Sequence, residues 1–213
     1  SRKRKNNGCA LELKYGTWKI SSYEPADARA LCAAGFSPIT AALLCSRGYR
    51  DAGAAREFLS CSYPLSSPFA LLDMDKAAAR VKQALSRREH IAVFGDYDVD
   101  GITATCLLTE YLRSKGGHVT SYIPARLEEG YGLNPIAIDT LKKQGVELIV
   151  TVDCGITANH EATLCRELGI DLVITDHHEC KSELPQAVAL VNPHRKDQPQ
   201  PAKIGRASCR ERV

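Results

Sequence analysis

Four short apolar runs limit what this chain can become: Ile91–Phe94, Glu147–Val152, Asp171–Thr175 and Ala187–Val191. They are too short for buried helices and rich in β-branched residues, so they read as strands. They are continuous rather than alternating, which suits strands covered on both faces, as in a parallel sheet. A fifth strand is expected at His118–Ile123. Helical periods fall between them, at Ile102–Lys115 with Gly116 and Gly117 as the stop, from Asn134 and Pro135 to near Gly145, and over Thr157–Leu168 closed by Gly169. Strand–helix alternation predicts βαβ units, and right-handed crossovers put helices on both faces. The expected fold class is α/β, a doubly wound parallel sheet.

A small helical N-terminal region is predicted ahead of the sheet, over residues 15–70. Pro25–Gly35 and Ser37–Gly48 each place a proline near the start of a helix and a glycine just after it. A third helix is expected at Asp51–Leu59. A Ser- and Pro-rich loop follows, Ser60–Pro68, and then a helix at Asp73–Arg88. Residues 1–14 are basic and polar without a period, so a disordered lead-in is expected. The stretch Ile204–Val213 matches one reading frame of a common sequencing adapter. It is set outside the fold, and the α/β domain, residues 71–203, is expected to be incomplete.

Charge does not point to nucleic acid by itself. The net +3 is exceeded by four cations at the start (Arg2, Lys3, Arg4, Lys5) and a net two in the last ten residues, which leaves −3 for the middle. No apolar run reaches the length of about 18 residues that a membrane span needs, and no secretory signal follows the basic start. The nine cysteines are irregularly spaced and form no C-x-x-C pair, which predicts reduced thiols in a cytoplasmic protein.

Three strands run into polar clusters: Gly95–Gly101 (G-D-Y-D-V-D-G), Asp153 in T-V-D-C-G-I-T, and Asp176, His177 and His178. Ligands of open parallel sheets bind beyond the carboxyl ends of the strands, so the clusters converge. Converging carboxylates repel unless a cation sits among them, and a divalent metal is the simple remedy. Carboxylates with imidazole fit manganese or magnesium better than zinc. This many carboxylates could bridge two metals about 3.5–4 Å apart, an arrangement suited to phosphoester hydrolysis. Taken singly, each Asp is more often a helix cap or turn residue, and the two histidines a surface loop. An EF-hand reading of the acidic loop fails, because its twelfth position holds Leu107 and a strand precedes it. A haloacid-dehalogenase-type phosphatase also opens on strand–D-x-D, but does not require the later histidine pair.

These three motifs resemble the first three motifs of the DHH phosphoesterases. The loop Arg126–Leu133 (R-L-E-E-G-Y-G-L) and the segments S-R-G-Y and P-F-A-L-L-D-M-D-K-A are similar to the RecJ branch of that family. The resemblance covers about Trp18 to Lys196. It implies metal ligation by Asp96, Asp98, Asp153 and His177, with Asp153 bridging two Mn2+ or Mg2+ ions. Asp100 is a possible further ligand or a residue behind the ligands. His178 is expected at the scissile phosphate and Asp176 behind an imidazole, both in catalytic roles; Arg126 is expected on a substrate phosphate. A fourth metal motif and a second domain of the family are not found in the chain, so little activity is expected from it alone.

The resemblance further implies a 5′→3′ exonuclease on single-stranded DNA in repair and recombination. Single-stranded DNA and a single-strand-binding protein are the expected partners, with no membrane. Alternatives are a phosphodiesterase for short oligonucleotides or cyclic dinucleotides, and a scaffold that has lost catalysis.

Overall fold

The computed structural model describes residues 11–13, 16–18, 21–60, 67–125 and 132–198. They fall into two compact units, one up to Pro64 and one from Leu65 onward. In the first, β1 (Leu11–Leu13) pairs antiparallel with β2 (Gly16–Trp18), Leu11 opposite Trp18. Of the lead-in expected over residues 1–14, only Leu11–Leu13 lie among the described residues. Three helices follow: α1 (Pro25–Ala33), α2 (Pro38–Ser46) and α3 (Ala52–Ser60). Ser37 caps α2, its hydroxyl accepting from the Thr40 N–H at 3.2 Å. Leu31, Ala41, Leu44, Cys45 and Ala55 form the small core.

The second unit is built on five parallel strands: β3 (His90–Gly95), β4 (His118–Tyr122), β5 (Leu148–Val152), β6 (Asp171–Thr175) and β7 (Ala189–Val191). Their order is β4-β3-β5-β6-β7. Among the described residues four α-helices pack on them: α4 (Met74–Arg87), α5 (Val99–Ser114), α6 (Pro135–Lys143) and α7 (Asn159–Glu167). Every residue of β3 and β5 is buried. Ala92, Phe94 and Ile149 join the core under α6 and α7, where Ile138, Leu141, Ala162 and Cys165 sit. Ile91, Val93, Leu148 and Val150 join the core on the other face with Ala77, Ala84 and Leu112 of α4 and α5. Alternate side chains of one strand thus feed two cores, which is why the strands carry no polar face.

Two boundaries differ from the sequence reading. Residues 67–70, expected with the helical region, belong with the sheet. The Gln198 side chain donates to the Ala70 carbonyl (2.7 Å) and accepts from the Leu72 N–H (3.0 Å), tying that segment to the far end of the unit. Helix α5 starts at Val99 rather than Ile102, because Asp98 caps it by accepting from the Gly101 N–H at 2.9 Å. Half of the acidic motif is thereby helical.

Ion pairs, two of them buried and the one to Asp171 exposed on its acidic side, hold the α4 side. Arg80 meets Glu89 and Asp171, each at 2.6 Å, and Arg195 meets Asp73 at 2.6 Å while donating to the Leu190 carbonyl. Burial alone would raise the Asp73 carboxyl, but hydrogen bonds from Lys76 and Arg195 outweigh it and hold the group below the usual range.

Buried thiols give a direct test of the packing. Cys165 is fully buried, and burial, aided by Glu161, pushes its thiol up to about 12. The unreactive thiol form therefore persists in the fold up to that pH. The sign is that of a group favoured neutral: its contribution to stability is complete below the ordinary thiol value of 9.0 and is lost as pH climbs towards about 12. Iodoacetamide at pH 8 is expected to modify exposed Cys106 within minutes and to leave Cys154 and Cys165 unmodified until denaturant is added. Mass spectrometry of the peptides checks this; rapid native labelling of Cys165 would contradict the packing.

Candidate metal centre

The sheet order reverses between β3 and β5: the chain steps outward from β3 to β4, then recrosses to β5 and proceeds the other way. In such sheets the crevice beyond the carboxyl ends at that reversal is where ligands bind. The register fills it with polar residues. Gly95 pairs with Val152, Val152 with Thr175, and Thr175 with Val191. The next residue of each strand is Asp96, Asp153, Asp176 and Asn192. All four are nearly inaccessible, at 2%, 2%, 6% and 1% exposure. Neighbouring strands lie about 4.8 Å apart, so three carboxylates and an amide stand in one row.

Local chemistry fixes each member. Asp96 accepts from the Tyr97 N–H at 2.7 Å. The glycines that bracket its motif let strand and helix touch. A Cβ on Gly101 would lie 2.6 Å from the Asp96 nitrogen and 2.7 Å from its carbonyl carbon. A Cβ on Gly95 would fall on the Thr105 hydroxyl, which donates to the Gly101 carbonyl at 2.7 Å. Asp153 takes a left-handed backbone, φ 63°, a strained conformation of the kind that collects at functional sites. Its Oδ1 lies 2.8 Å from His177 Nε2.

Asp176 uses both oxygens. Oδ2 accepts from the Ile156 N–H (2.9 Å); Oδ1 accepts from the N–H groups of His177 (2.7 Å) and His178 (3.0 Å) and faces His178 Nδ1 at 2.7 Å. That contact makes Nδ1 the donor and leaves the lone pair of the neutral ring on Nε2.

The structure brings Asp153, His177 and His178 together, one donor atom of each within 4.8 Å of the others. Asp176 stands behind His178 as a positioning group. Asp96 shares the row without joining that group of three. Asp98 is exposed and engaged as the cap of α5, and Asp100 is half-buried in the first turn of that helix. Arg126 lies outside the described residues, as do residues 1–10 and 199–213. Sequence reading passed over Asn192. Its signal was present: it follows A-L-V as Asp153 and Asp176 follow their own apolar strands.

The donor set fits a hard divalent cation. Oxygen and imidazole nitrogen converge from two strand ends, and the nearest thiol is withheld. Cys154 is buried beneath the row, and burial, then the charges of Asp176, Asp96 and Asp153, push its thiol well above the usual range. Among the described residues its sulfur is not one of the converging donor atoms, which are a carboxylate oxygen and two imidazole nitrogens.

The DHH family, N-terminal domain, matches residues 90–210. The single-stranded-DNA-specific exonuclease RecJ of Bacillus subtilis (strain 168) is 46% identical over 158 residues, 74% of this chain and 20% of that protein. A crystal structure of exonuclease RecJ bound to manganese has a TM-score of 0.60 at 35% identity, covering 67% of this chain and 36% of its own. RecJ in complex with Mn2+ from Thermus thermophilus has a TM-score of 0.58 at 29% identity, covering 87% and 26%. The chain thus spans about a fifth to a third of the length of these proteins.

Proposed function

Since this chain belongs to the DHH family, we propose that a protein containing it is a metal-dependent phosphodiesterase that degrades single-stranded DNA from the 5′ end. The observation that carries the reading is the Asp153–His177–His178 group at the reversal of the sheet, in a chain similar to manganese-bound RecJ proteins. A role in repair and recombination, a cytoplasmic location and a single-strand-binding protein as partner belong to the same proposal. Free cysteines at buried positions support a reducing compartment. Among the described residues no helix is long and apolar enough to cross a membrane.

In this reading Asp96, Asp98, Asp153 and His177 would hold two Mn2+ or Mg2+ ions, with Asp100 at their margin. Bound metal supplies an activated water and neutralises charge at the leaving oxygen. Asp153 offers its carboxylate where β5 ends, beside the imidazole that β6 delivers. His178, held through Nδ1, turns Nε2 towards the phosphate. Asp176 fixes that ring by accepting from both the ring and the backbone. Arg126 would bind a substrate phosphate, as guanidinium groups commonly do.

The test uses a protein that contains this segment, on end-labelled single- and double-stranded DNA. With manganese or magnesium, mononucleotides should be released from single strands only, and chelator should stop release. Hydrolysis of dinucleotides without DNA degradation would retain the metal site but move the substrate to small molecules. No hydrolysis with any metal would leave the scaffold alternative.

A further inference from the structure

We infer that Asn192, at the carboxyl end of β7, is a positioning residue for His178. The inference rests on the proposed hydrolytic role of His178. Asn192 is 1% exposed and uses both ends of its amide. Nδ2 donates to the His178 carbonyl at 3.0 Å, and Oδ1 accepts from the His194 N–H at 2.7 Å. His178 is thus held from two sides. Asp176 takes its backbone N–H and its ring Nδ1, and Asn192 takes its carbonyl. The two holding residues are next to each other in the row, since Thr175 pairs with Val191 and the Asp176 N–H donates to the Val191 carbonyl at 3.0 Å.

The turn that carries Asn192 is itself anchored. Three residues on, Arg195 donates to the Leu190 carbonyl and pairs with Asp73 at the start of α4, each at 2.6 Å. The segment from β7 to Gln198 therefore forms a brace that runs from α4 to the His178 peptide. An amide is the side chain this place requires. It must donate to one backbone group and accept from another, and neither a carboxylate nor an aliphatic residue can do both. Removing a residue that orients a site imidazole typically costs about 10–100-fold in activity or affinity.

The test compares Asn192→Asp and Asn192→Ala with Arg195→Met, which loosens the brace without touching His178. Asn192→Asp would keep the acceptor for His194 and lose the donor to His178 while adding a fourth carboxylate to the row; Asn192→Ala removes the donor without adding a charge, so it is the variant that isolates positioning. In the 213-residue chain labelled with 15N-histidine, the ring signals of His178 should report the Nδ1–H tautomer. Asn192→Ala, which adds no charge, should shift them and leave those of His90 and His118 unchanged. In a protein that contains this segment, Asn192→Ala should lower kcat about 10–100-fold, with KM for single-stranded DNA within about twofold. Arg195→Met should lower the melting temperature and change kcat less. Wild-type His178 signals and kcat in Asn192→Ala would overturn the inference, as would equal losses of kcat and stability in Asn192→Ala and Arg195→Met. If the unsubstituted protein hydrolyses no DNA, the proposed function fails, and the ring signals still decide the role of Asn192.

Discussion

Asp153→Asn in a protein that contains this segment is expected to abolish hydrolysis, with a loss on the order of 10³-fold or more. It should weaken manganese binding by at least about 100-fold, read by calorimetry on the same variant. Asparagine is the informative replacement for two reasons. It tolerates the left-handed backbone at φ 63° that the position demands, whereas alanine there would add a cost of about 1–2 kcal/mol unrelated to the ligand. Its side chain also keeps the shape of aspartate, so the packing beside His177 is retained. What disappears is the negative charge. The variant should therefore be more stable than the parent without metal, because one of three buried neighbouring carboxylates is neutralised. Relief of about 1 kcal/mol would raise the melting temperature by about 2–4 °C in a chain of this size. A variant with wild-type turnover would remove Asp153 from the site. A variant with lower metal-free stability would show that the row is not under electrostatic strain.

Gly101→Ala carries the second large effect, and its sign tests the close contact between strand and helix. Position 101 lies within α5, where alanine is favoured over glycine by about 1 kcal/mol. On propensity alone the substitution should stabilise. The added Cβ would overlap backbone atoms of Asp96, which cannot rotate aside as a side chain could. Overpacking of that kind costs about 1–3 kcal/mol and occasionally more, and a rigid partner places this case at the upper end. A net loss of about 2 kcal/mol is expected in urea unfolding, together with weaker manganese binding as Asp96 is displaced. Equal or greater stability would mean that the strand and helix do not touch as described.

Much of the sheet was legible because buried parallel strands leave so little choice of sequence. Ile91–Phe94 and Asp171–Thr175 announce themselves as unbroken apolar runs, and the structure lengthens the first by one residue at each end. The helix starts at Pro38 and Pro135 were legible for a different reason: Ser37 and Asn134 are caps whose oxygens accept from Thr40 and Ala137. The start of α5 was misread because Asp98 offered two readings, ligand and cap, and the cap moves the helix into the motif. β1 and β2 escaped because two strands of three residues carry almost no period.

The site divides in the same way. Asp153, His177 and His178 could be brought together on paper, since the strands that present them were recognisable and the sheet rule says which ends meet. The engagement of Asp176 with four donors depends on loop conformation, which no spacing encodes. Asn192 was hidden by its chemistry: amides are common in turns, and only the register of β7 against β6 gives this one a partner.

That register also dictates when the site can exist. Asp96, Asp153 and Asp176 are distant in sequence and become neighbours only after β3, β5 and β6 have paired, so no local fragment of the chain holds the arrangement. A cation held by groups from all three strand ends has nothing to grip in the unfolded ensemble. Its binding then adds to folding free energy by mass action, about 2.7 kcal/mol at a hundredfold excess over its dissociation constant. Manganese should thus act as a reporter of correct strand order: a collapsed or misregistered chain would be compact and blind to the ion.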